Sequence, residues 1–144
     1  METRLELLDP SLAKKIKLSD PSKRRASILE ICKYALSHAR LDDDVVPKIM
    51  ANLESRAYIQ ARQYKRAVEG LFNELESRQL SLQKQVNAGQ APLQDFQEAF
   101  KNARAANALL FSLDADSYIA LSEAAYEAYS ITQDLKAITD ILSS

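Results

Sequence analysis

Hydrophobic residues recur at three- and four-residue spacing along almost the whole chain, the period of an amphipathic α-helix. No stretch of useful length alternates with period two, and no repeat of fixed length is present. After Asp9-Pro10, Leu12 and Ile16 lie one turn apart. After Asp20-Pro21, Ile28, Ile31, Cys32, Ala35, Leu36 and Ala39 gather on one side of a wheel, opposite Glu30, Lys33, Ser37 and Arg40. Each Asp-Pro pair offers an N-cap acceptor followed by a proline at the first helical position, where its missing N–H costs nothing. Leu41-Asp42-Asp43-Asp44 breaks the second helix, and Asp44 is placed to cap the next, with Pro47 in its tolerant first turn.

The longest stripe is Leu53, Ala57, Ala61, Tyr64, Val68, Leu71, Leu75, Leu82 and Val86, all in one sector of the wheel. Taken as one helix it would be about 50 Å long, against a radius of gyration of about 15 Å for a domain of this size. The stripe therefore predicts either a break, best placed around Ser77 to Ser81, or a protruding helix that pairs with a partner. Asn87-Ala88-Gly89 reads as its stop. Pro92 opens a helix with a broad apolar face (Leu93, Phe96, Phe100, Ala103, Leu110, Phe111), expected to be central and heavily covered. Asn107 interrupts that face, as a register-fixing buried amide or an exposed rim residue. Asp114 and Asp116 end it and cap a helix whose inner face is Tyr118, Leu121, Ser122, Ala125 and Tyr129. Ser130 to Gln133 resembles a capping box before a last helix holding Leu135, Ile138, Ile141 and Leu142. The expected fold is all-α, one domain over residues 1–144 with six or seven helices, tightest in its alanine-rich C-terminal half.

Composition adds little to this picture. The chain has 144 residues, 47% of them hydrophobic and 27% charged, which is ordinary for a folded domain. Only two glycines are present, too few for many hairpin turns. A single cysteine excludes an internal disulfide. The charged start (Glu2, Arg4, Glu6) lacks the apolar core of a signal peptide, and no apolar run is long enough to span a membrane. These features predict a cytoplasmic protein with no membrane association.

Charge changes the picture more. The first forty residues hold nine Lys/Arg against five Asp/Glu. From Ala105 to Ser144 there is one basic residue, Lys136, against six acidic ones. The net charge of −1 hides this asymmetry, which bears on partners rather than fold. No catalytic or cofactor motif accompanies it. His38, beside Asp42 to Asp44, reads as a helix-end histidine rather than a metal ligand. Cys32 lies six residues from His38, on a diverging direction of the same helix, and reads as a small core residue. Asp114-Ala115-Asp116-Ser117 lacks the glycine and glutamate a calcium loop needs, leaving a capping role. No catalytic residue, metal or cofactor is therefore expected.

Glu123 and Glu127 are expected to point outward. With Asp116 and Tyr126 they form a candidate acidic, tyrosine-bearing face for a basic protein partner. The function expected is a non-enzymatic protein-interaction module, in one form an inhibitor or immunity-type protein. On that reading, reversing Glu123 and Glu127 to Lys abolishes partner capture and leaves thermal stability nearly unchanged. The alternative is a nucleic-acid-linked regulator using Lys14, Lys15, Lys23, Arg24 and Arg25, as a monomer or as a homodimer built on the long helix.

Overall fold

Aspartate caps fix where four of the helices begin. In the computed structural model, which describes residues 2–144, every element is helical. Asp9 accepts from the Leu12 amide at 3.1 Å and starts α2 (Pro10–Leu18). Asp20 does the same for Lys23 at 2.9 Å and starts α3 (Pro21–Ser37). Asp116 takes the amides of Tyr118 and Ile119 at the head of α8 (Ser117–Thr132), and Asp134 that of Ala137 at the head of α9 (Leu135–Ser143). Each bond satisfies a donor that the first helical turn leaves free. A short helix that the periodicity did not predict, α1 (Arg4–Leu8), precedes these, capped by Thr3. The remaining elements are α4 (Val45–Glu54), α5 (Tyr58–Ala61), α6 (Lys65–Asn87) and α7 (Leu93–Ser112).

Three expectations about boundaries are corrected. The long stripe breaks at its beginning, not at Ser77 to Ser81. α4 ends at Glu54, Arg56 takes a left-handed conformation (φ 61°), and the Ala57 amide closes the turn on the Asn52 carbonyl at 2.8 Å. α5 and a 3₁₀ turn (Arg62–Tyr64) then lead directly into α6, which runs unbroken for 23 residues, about 35 Å. Asp44 makes no capping bond; Asp43 supplies it instead, accepting from the Val45 amide at 2.9 Å. Ser130 to Gln133 is not a capping box but the end of α8. Ser130 bonds back to the Tyr126 carbonyl, and Gln133 (φ 58°) leaves the helix in the left-handed region.

α8 is the hub. It packs against α1, α2, α3, α7 and α9. Its alanines Ala120, Ala124, Ala125 and Ala128 are wholly buried, as are Ala103, Ala105, Ala106 and Ala108 of α7. Small side chains at helical spacing let these axes approach closely. Ile28, Ile31 and Cys32 of α3, Leu5 of α1, Ile49 of α4 and Ile138 of α9 complete the core. α7 is central only in its second half. Its first half leaves the core as an antiparallel hairpin with α6, whose dominant neighbour is α7. Gly89 (φ 72°) makes the turn at the hairpin tip.

Candidate interaction site

The acidic residues of α8 do not face outward. Glu127 is fully buried, and Glu123 has 14% of its side chain exposed. Glu127 follows Ala120 and Ala124 and precedes Ile131 at helical spacing, so packing the alanine face takes its carboxylate inward. There it meets two guanidinium groups: Arg4 of α1 at 2.7 Å and Arg104 of α7 at 3.0 Å. Arg4 also reaches Glu123 at 3.2 Å, and its backbone amide donates to the same carboxylate at 2.9 Å. Arg104 reaches on to Glu76 of α6. The result is one alternating chain of charges, Glu123–Arg4–Glu127–Arg104–Glu76, tying four helices together. Each arginine serves two carboxylates, so neither fully offsets the desolvation of Glu127, and burial holds its carboxyl above the usual carboxylate range. The expectation that charge reversal at Glu123 and Glu127 would spare stability is thereby overturned, since it would place a lysine at the fully buried position 127 against the guanidinium groups of Arg4 and Arg104.

Tyr126, the third residue of the expected acidic face, is half-buried beneath the Arg4 guanidinium, 4.6 Å from its ring centroid. Asp116 is exposed, but its carboxylate is engaged as the α8 cap. The four residues are therefore not brought together as one free acidic surface.

The basic N-terminal cluster divides by residue type. Arg24 donates to the carbonyls of Ile16 and Lys17 and to the Ser117 hydroxyl, at 3.0–3.1 Å. Arg25 spans the carbonyls of Ser112, Asp114 and Ala115 at and just past the end of α7, and burial lowers its pKa. Both use the fixed fork of the guanidinium to gather carbonyls at helix ends. Glu6 accepts from the Tyr118 hydroxyl. Much of the charge asymmetry is thus consumed within the molecule: N-terminal arginines hold the C-terminal acids and carbonyls. Lys14, Lys15, Lys17 and Lys23 remain exposed, and no carboxylate among the described residues pairs with them.

Cys32 is fully buried, and burial pushes its thiol up to about 12, so it is held as a neutral core side chain. His38 lies exposed at the end of α3, with Nδ1 3.0 Å from both the Tyr34 carbonyl and the Ser37 hydroxyl. Asn107 is buried, as the first of its two readings has it.

Periodicity missed Arg4, Glu76 and Arg104. One signal was available: Arg104 shares a wheel sector with Phe100, Asn107 and Phe111, and a cation in an apolar sector needs a buried carboxylate. Arg104 lies over the rings of Phe72 and Phe100, at 5.5 and 5.7 Å, and so marks one side of the hairpin. On that side Leu93, Phe96 and Phe100 of α7 and Phe72 of α6 stay partly exposed, and Leu80 is 50% exposed. Comparison of the chain with protein-family models, curated proteins and solved structures finds no match.

Proposed function

We propose that this chain is a non-enzymatic protein-interaction module that docks a partner helix on the Arg104 side of the α6–α7 hairpin. The observation that supports this reading is the partly exposed apolar line Phe72, Leu80, Leu93, Phe96 and Phe100, on two helices that leave the core together. Half-exposed apolar side chains on two adjacent helices offer a surface of the kind an amphipathic helix covers. An inhibitor or immunity-type protein is one concrete form, in which the hairpin covers a working surface of its target. The basic-partner version retains only Asp116 and the edge of Tyr126. The nucleic-acid alternative loses Arg24 and Arg25 to internal bonds and retains Lys14, Lys15 and Lys23.

The test is site-specific photo-crosslinking in the native cell, with the probe at Leu80 or Leu93 and, as controls, at the exposed apolar positions Leu7 and Ile59. A discrete adduct at both hairpin positions and neither control is expected, lost when Phe96 and Phe100 are changed to Ser. Equal labelling at all four positions, or none at the hairpin, overturns the reading. An adduct of doubled mass would identify a second copy as the occupant.

A further inference from the structure

The lysines left unpaired on α2 and α3 overlook a cavity. It has a volume of about 250 Å³ and lies where α2, α3, α8 and α9 meet. Ile16 and Leu121, each nearly fully buried, and Leu142 give it apolar walls. Lys15 and Lys23 line it, and no carboxylate does. Ser27 also lines it; the residue is 8% exposed, and its hydroxyl makes no hydrogen bond among the described residues and opens onto the cavity. A hydroxyl that faces the cavity and has no partner within the chain is available to donate to a ligand oxygen. Ser143 stands exposed at the rim, and its hydroxyl makes no hydrogen bond among the described residues. The nearby carbonyl acceptors are already occupied: the Ile16 carbonyl takes the Ser19 hydroxyl and Arg24, and the Lys17 carbonyl takes Arg24.

Two uncompensated ammonium groups and two free hydroxyls over an apolar floor make a site for a doubly charged oxyanion on a short apolar stem. A phosphate monoester fits this description, because it carries close to two negative charges at neutral pH and three acceptor oxygens. A carboxylate would leave one ammonium unanswered. A neighbouring cavity of about 190 Å³ shares Lys23 and Ser27 but includes Glu30, whose charge disfavours an anion there. We propose that the cavity between α2, α3, α8 and α9 binds a small phosphate monoester, with Lys15 and Lys23 on the phosphate, Ser27 donating to it and the organic group on Ile16, Leu121 and Leu142.

Amide chemical shifts of the full chain, titrated at constant ionic strength with butyl phosphate, inorganic phosphate, butyrate and a short single-stranded oligonucleotide, test this. Butyl phosphate is expected to shift Lys23, Ser27, Leu142 and Ser143 saturably. Inorganic phosphate should shift the same amides at least about tenfold more weakly, for want of the buried alkyl group. Butyrate should bind more weakly than butyl phosphate. Lys15→Gln with Lys23→Gln should weaken butyl phosphate at least about tenfold. Ser27→Ala should weaken it several-fold with an unchanged spectrum elsewhere, which separates a lost hydroxyl from a lost fold. Pelleting with phosphatidate vesicles at comparable affinity would assign the phosphate to a lipid headgroup, and its absence to a soluble ester. No saturable shift, equal affinity in the variants, or tightest binding by the oligonucleotide with shifts spread over Lys14 and Lys17, would overturn the proposal.

Discussion

Replacing Arg104 with Met removes one link from the buried charge chain and keeps most of the apolar stem that covers Phe72 and Phe100. The side chain is 13% exposed and bonds to Glu127, which is wholly buried, and to Glu76, 37% exposed. Without it Glu127 retains Arg4 alone. Leaving one member of a buried pair uncompensated costs about 3–5 kcal/mol, and the surviving Arg4 contact at 2.7 Å offsets part of that. A loss of about 2–4 kcal/mol is expected at pH 7, lowering Tm by roughly 5–15 °C for a chain of this length. Glu76→Gln breaks the solvent-screened end of the same chain and should cost less than about 1 kcal/mol.

Urea unfolding followed by circular dichroism measures both changes, and a double-mutant cycle with Glu127→Gln apportions them. Adding Glu127→Gln to Arg104→Met should recover much of the loss, because no uncompensated charge then remains. The pH dependence has a defined sign. Glu127 titrates above its unfolded value of 4.5 in the folded protein, so the native state binds the extra proton. Its contribution is fully present below the unfolded pKa and is lost as pH rises through the folded one. Removing a cation raises the folded value further, so the Arg104→Met deficit should shrink as pH falls toward 5. Equal costs for Arg104→Met and Glu76→Gln, or a deficit that grows in acid, would refute the assignment of Glu127 as the buried centre.

Cys32, with its thiol held near pKa 12, should resist a thiol reagent at pH 8 in the native protein and react only at the rate of opening, measured by absorbance with and without urea. Arg25→Ala should cost about 1–3 kcal/mol in urea unfolding, and Arg25→Lys should recover little, because an ammonium cannot span the carbonyls of Ser112, Asp114 and Ala115. Asp116→Ala removes the α8 cap and should cost about 1 kcal/mol by the same measurement, with the helix content of the folded state retained. Gln133→Gly should raise stability by up to about 1 kcal/mol, because Gln133 holds a left-handed conformation that glycine adopts without steric cost.

The chain's period and its caps determined the all-helical class and most helix beginnings. An Asp-Pro pair or an aspartate before an apolar run acts within one turn, so Asp9, Asp20, Asp116 and Asp134 do what local chemistry asks of them wherever the helix later packs. Local chemistry also explains why the break before α6 was misplaced. Arg56 and Ala57 carry no glycine or proline signal, and α6 continues past Ser77 to Ser81 because α7 supports it along its length.

Only the tertiary structure decided which face of α8 is buried. Its sides are nearly all small or apolar, so hydrophobic period alone does not separate inside from outside. Glu127 goes inward because Arg104, 23 residues earlier, and Arg4, at the other end of the chain, arrive to meet it. The same long-range closure divides the basic cluster, drawing Arg24 and Arg25 onto helix-end carbonyls and leaving the lysines out. A charge recorded in sequence is a property of one residue. Whether it faces solvent depends on a partner charge that a different helix brings, and that follows from how the helices pack.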